Sequence, residues 1–175
     1  DKIEEKNTLT WSLTSNFTSK KSRISPKGKE ITDYRDIAYI KLFQSYDIKK
    51  ERDKETRPFS EIGLETELAP NDFISLDMDV FWSPYDSHFK TLNIGNTLKD
   101  KRGDSLRTEY RYTSNTSESL YSKIDINLTN ELSAFYSIEK NIEVKKTIET
   151  RAGIGFKKPC WALNLYFLKS SDEQS

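Results

Sequence analysis

One cysteine, one histidine and one methionine are all that the 175 residues contain of those types. A lone cysteine cannot form a disulfide within the chain, and one cysteine with one histidine is too few for a nitrogen–sulfur zinc site. No run of 18 apolar residues occurs, which excludes a membrane-spanning helix and leaves a strand-based crossing open. Neither sign of charge is in excess: Lys+Arg and Asp+Glu number 28 each, so no global field gathers nucleic acid. Apolar residues make up only 34% and charged ones 32%, against roughly 45–50% and 25% in an ordinary globular domain. Aromatics, at 12%, are too many for a disordered chain. The opening DKIEEKNTLT has no signal-peptide pattern, so in an exported protein this would be a mature chain or a fragment of one.

What is present is alternation. Leu9, Trp11, Leu13 and Phe17 alternate with Thr10, Ser12, Thr14 and Asn16. Ile74, Leu76, Met78, Val80 and Trp82 alternate with Ser75, Asp77 and Asp79; Leu120, Ile124, Ile126 and Leu128 with Lys123, Asp125 and Asn127. Trp161, Leu163, Leu165 and Phe167 alternate with Ala162, Asn164 and Tyr166. Weaker runs cover 35–48, 58–68, 88–98, 104–114, 131–141 and 146–156, making ten strands. Ala69-Pro70-Asn71-Asp72, Ser83-Pro84-Tyr85-Asp86, Lys101-Arg102-Gly103-Asp104, Ser114-Asn115-Thr116 and Thr129-Asn130-Glu131 supply turns between them. Such short connections hold no crossover helix, so neighbours pair as antiparallel hairpins. The expectation is an all-β chain: an antiparallel up-and-down meander of about ten strands forming one domain over 1–175. Residues 19–33, with SPKGKE, read as a polar loop, 169–175 as a C-terminal tail, and helical periodicity is absent.

Runs of ~10–12 residues suit strands that cross a bilayer at a tilt better than the ~5–6 of a soluble sheet. Their polar faces carry full charges: Glu61, Glu65 and Glu67; Asp77 and Asp79; Arg107, Glu109 and Arg111; Lys123 and Asp125. A dry interior could not hold these; a wide, water-filled lumen could, as could the solvent side of a soluble sheet. Trp11, Trp82, Tyr85, Trp161, Tyr166 and Phe167 fall mostly near strand ends, where amphipathic rings settle at a bilayer interface or simply pack hairpin ends.

Candidates for chemistry are few. Glu65/Glu67 and Asp77/Asp79 project in pairs from single faces; they suit either Ca²⁺, which takes several oxygens, or a solvated wall, which is favoured. His88 and Ser87 are adjacent and point to opposite faces, so a Ser/His site needs another serine across the sheet. Gly153-Ile154-Gly155 marks close backbone approach rather than a phosphate cradle, which needs a following helix. Two of the three glycosylation sequons, at Asn16, Asn115 and Asn127, lie within strands, so glycosylation is discounted. Neither cofactor nor metal is called for.

Three stretches carry a resemblance. Tyr34-Arg35-Asp36-Ile37-Ala38-Tyr39 runs on to Gln44-Ser45-Tyr46-Asp47; Arg102-Gly103-Asp104-Ser105-Leu106 is followed by Tyr110-Arg111-Tyr112; and Cys160-Trp161-Ala162-Leu163 stands near the end. Their order and spacing resemble the C-terminal barrel portion of the lipopolysaccharide-assembly family LptD, also called the organic solvent tolerance family, over about 34–168. The resemblance implies a segment of a translocon that inserts lipopolysaccharide into the outer leaflet of a Gram-negative outer membrane, and no enzyme. It implies a plug lipoprotein of the LptE kind and periplasmic lipopolysaccharide-bridge components as partners. It further implies that the strand at 160–168 is the last and borders a lateral opening. Family members commonly carry a cysteine pair here; Pro159 precedes a single Cys160, so one interdomain disulfide is implied, with a free thiol as the alternative. Two other readings stand beside it: a small outer-membrane enzyme acting on lipid A with His88 as base, and a soluble ligand-binding β-barrel.

Overall fold

The computed structural model describes residues 7–24, 28, 30–53 and 57–170. Ten strands follow one another in a single antiparallel sheet whose spatial order is the chain order. They are β1 (Thr8–Ile24), β2 (Glu30–Asp47), β3 (Ile62–Asn71), β4 (Ile74–Ser83), β5 (His88–Lys99), β6 (Ser105–Thr113), β7 (Ser117–Asn127), β8 (Leu132–Asn141), β9 (Thr147–Lys158) and β10 (Trp161–Ser170). The up-and-down meander expected from the alternation is therefore present. The turns use the predicted chemistry: Asn115 takes φ 58° and Gly103 φ 88°, left-handed values that Asn and Gly reach at least cost.

Three expectations need correction. The polar stretch 19–33 is largely strand, since β1 runs on to Ile24 and β2 starts at Glu30; residues 25–27 and 29 lie outside the described ones. Thr18 donates to Asp36 at 2.7 Å, and Arg23 meets Asp33 at 3.4 Å across this ribbon. Alternation fails here because a bulge after Phe17 resets the register, and because both faces of the ribbon are polar. At the other end β10 takes in Lys169 and Ser170, while 171–175 lie outside the described residues. Lastly, one helical turn, α1 (Ile48–Arg52), interrupts the all-strand pattern, and Asp47 caps it by accepting from the Lys49 and Lys50 amides.

The sheet has no second layer. Val80, 9% exposed, is the sole buried hydrophobe among the described residues, and Leu13, Ile94, Leu106, Ile124, Ile154 and Leu165 all lie open. Domains ordinarily bury a sheet face against another element. Here hydrogen-bonded ladders and cross-strand side-chain pairs tie the strands together, and the outer edges of β1 and β10 are unpaired among the described residues.

Candidate functional site: a charged face backed by an apolar one

Register fixes what shares a face. One continuous row runs Ile74–Leu98–Leu106–Ile124–Tyr136–Ala152–Phe167 across seven strands. Leu64–Val80–Leu92 and Leu132–Phe156–Leu163 lie on the same side. Trp11, Trp82 and Trp161 stand on it too, toward the strand ends. Tyr85 does not: it sits in the β4–β5 turn, where its hydroxyl accepts the Phe59 amide at 2.8 Å and its ring lies under the Arg57 guanidinium.

The opposite side carries the charged residues picked from the sequence, except Glu61, which precedes β3. Lys41, Glu65, Asp79, Asn93 and Arg111 form one row, and Glu67, Asp77, Gly95, Glu109, Tyr121 and Glu139 the next. Arg107 and Lys123 continue in a third, with Asp125 one row on. These charges are woven together. Arg107 donates to both carboxylate oxygens of Asp77 at 3.1 Å and to Glu109 at 3.2 Å. Arg111 holds Glu109 at 2.8 Å and Glu139 at 3.2 Å, and Ser119 donates to Glu139 at 2.8 Å. Lys41 pairs with Glu65 at 3.0 Å, and Lys123 with Asp125 at 2.8 Å. Glu67 and Asp79 enter no ion pair among the described residues.

The Arg107–Asp77 bridge spans β4 and β6 over the intervening β5. It passes there because residue 95 is glycine: a Cβ at that position would run into the Asp77 carboxylate. Gly63 does the same for Phe43, whose ring reaches Phe81 edge-on at 5.9 Å. Lys41 and Glu139 escaped the sequence reading. Their strand parity signals them, but a cross-strand partner is visible only once register is known.

At the mouth of the charged face the chain ties itself down. Asp86 takes Arg57 at 2.8 Å, Lys90 at 2.9 Å and the Ser83 hydroxyl at 3.1 Å. Lys90 first, and then Arg57, hold its carboxyl well below the usual carboxylate range. His88 stands opposite Ser83, yet its Nδ1 lies 3.2 Å from the Asp86 carbonyl while Ser83 serves the Asp86 carboxylate. The pair is thus not arranged as nucleophile and base. No cluster of three or more metal-ligating side chains converges among the described residues, so the carboxylate pairs give Ca²⁺ no cage. Gly153 sits against the Phe135 ring and the Leu165 carbonyl, the close approach expected of it. Cys160 is exposed in the β9–β10 turn.

A long antiparallel meander with a continuous apolar row on one side, charged rows on the other and no covering layer is consistent with a segment of a barrel wall. The chain matches the family described as LptD, LPS transport system D, over residues 1–172. It belongs to that family, whose work is the transport of lipopolysaccharide. Comparison with curated proteins gives no match.

Proposed function

We propose that this chain is part of the wall of an outer-membrane barrel that inserts lipopolysaccharide into the outer leaflet. The observation that carries the reading is the uncovered apolar row across seven strands. Contiguous apolar surface on this scale is rare in contact with water, and a hydrocarbon environment removes the cost. Dimensions agree. From Ile74 to Trp82 on β4 the apolar face runs about 26 Å along the strand at ~3.3 Å per residue. Tilted by ~40°, that is roughly 20 Å of height, close to the ~25 Å band of such barrels.

The charged face then lines the wet interior. Its arginines are already saturated by carboxylates, so sugar and phosphate groups meet a wall of near-zero net charge that offers both donors and acceptors. Acyl chains are left to the apolar side. A plug lipoprotein of the LptE kind and periplasmic bridge components are the partners this role calls for, and Cys160 is the residue available for an interdomain disulfide. No bond in the substrate is broken.

The test is photocrosslinking in cells that make lipopolysaccharide. A crosslinker at Glu67 or Tyr121 on the charged face should capture lipopolysaccharide, and one at Leu106 should capture membrane phospholipid. Capture of neither class at any position would end the proposal.

A further inference from the structure

Among the described residues, the apolar side of β3–β10 carries charge only near strand ends. At one end stands Lys158, tied to Glu131. At the other, where Trp82 lies, stand Glu118, Lys140 and Lys169. Glu118 faces Tyr112 on β6; Leu120, two residues along β7, faces Lys140 on β8. Glu118 and Lys140 are therefore diagonal neighbours across one strand pair, about 7–8 Å apart at the backbone.

They do not pair with each other. The Tyr110 hydroxyl donates to one Glu118 oxygen at 2.9 Å, and neither Glu118 nor Lys140 enters an ion pair among the described residues. On the opposite face, by contrast, Lys41, Arg107, Arg111 and Lys123 all hold carboxylates. A carboxylate and an ammonium left side by side are complementary to a zwitterion, which answers both with charge-assisted hydrogen bonds. Toward the strand centres the same side continues through Leu120 and Ile138 to Ile124 and Tyr136, a track for hydrocarbon. Trp82 and Phe89 stand at the level of Tyr112, where aromatic rings mark the headgroup zone of a bilayer. A small soluble zwitterion would leave the apolar track uncovered; a phospholipid fills both parts.

We propose that Glu118 and Lys140 hold the headgroup of an aminophospholipid, phosphatidylethanolamine, on the outer surface of the wall. Lys140 meets its phosphate, and Glu118 accepts from the primary ammonium that a short ethylene link sets beside that phosphate. The proposal rests on the membrane reading above and goes beyond it. The lipid is a boundary lipid outside the lumen, not the transported glycolipid, and it assigns the Trp82 end of the strands to the phospholipid leaflet. The β1–β2 ribbon projects from the opposite end, as the long external excursions of such barrels do.

The experiment is native mass spectrometry of the folded chain in detergent, with phosphatidylethanolamine and phosphatidylglycerol of identical acyl chains offered in equal amounts. The parent should retain phosphatidylethanolamine in preference. Glu118→Gln should weaken that retention about three- to tenfold, the worth of one hydrogen bond, and leave phosphatidylglycerol unchanged. Lys140→Gln should weaken both lipids, and Lys169→Gln, outward at the same end but away from Glu118, neither. Heat-modifiable gel migration establishes that each variant is folded. A parent that holds both lipids equally, or a Glu118→Gln chain that keeps the preference, overturns the assignment. So does an equal loss from Lys169→Gln, which would make any interfacial lysine sufficient. If the preference is absent while a crosslinker at Leu106 still captures phospholipid, only the headgroup site falls. If Leu106 captures none, the membrane reading is what has failed.

Discussion

Asp86 and Gly95 show how single residues shape the wall. Asp86 gathers Arg57, Lys90 and Ser83 and so fastens the segment entering β3 to the β4–β5 turn. Its folded carboxyl is depressed, so the clasp contributes fully above the unfolded value of about 4 and is lost as pH falls below it. Asp86→Asn at pH 7 should lower the hydrogen-exchange protection of the Phe59 and Ser60 amides and flatten the parent's loss of protection between about pH 4 and 2. Equal protection in parent and variant would remove Asp86 from that role. Gly95 acts by absence, letting Arg107 reach Asp77 over β5. Gly95→Ala should cost about 1–3 kcal/mol of overpacking, read as a lower denaturant midpoint in detergent. Asp77→Ala in the same chain should recover part of the loss, because the added methyl then meets no carboxylate; a strictly additive double variant would contradict the mechanism.

Among the elements, the strands divide by what each face touches. A charge at the centre of the apolar row should be far costlier than one on the opposite face. Leu106→Arg is expected to lower folding stability in bilayers by about 2–4 kcal/mol, while Glu67→Arg, at an exposed position opposite Asp77 on the charged face, should change it little. Folding titrations of both into vesicles check this, and similar values for the two would mean that the faces are assigned wrongly. The β1–β2 ribbon is a different kind of element. Beyond Ala38 its backbone pairs with nothing but itself and extends about 26 Å past the Ala38–Leu68 pairing, at ~3.3 Å per residue. An isolated two-stranded ribbon is marginal in water. Arg35 pins its base by reaching Asp72 at 2.7 Å and the Ala69 carbonyl at 3.0 Å.

Among the described residues the molecule is one sheet without a core, so its stability depends on what wets each side. In bilayers the three tryptophans should lie near the headgroups: lipids brominated high on the acyl chain should quench Trp82 and Trp161 more than lipids brominated near the chain end. The reverse order would place the belt elsewhere. The unpaired edges of β1 and β10 carry a second consequence. Open edges are not tolerated in hydrocarbon, so the ten strands held alone in vesicles should pair edge to edge between copies, visible as crosslinked oligomers.

The amino-acid sequence determined the strands, their short turns and the two faces, because alternation is local and each strand carries its own copy of the pattern. It also held enough order in Tyr34–Asp47, Arg102–Tyr112 and Cys160–Leu163 for the family to be legible. It misled at 19–33, where a ribbon polar on both faces has no alternation to read and is held extended by ladder hydrogen bonds and by polar pairs such as Arg23–Asp33. Tertiary structure alone decided the pairings: which carboxylate meets Arg107, why residue 95 must lack a side chain, and how Phe135 on β8 comes to face Tyr166 on β10 across Gly153. Those contacts depend on register between strands, and a shift of one residue would move every side chain of a strand to the other face.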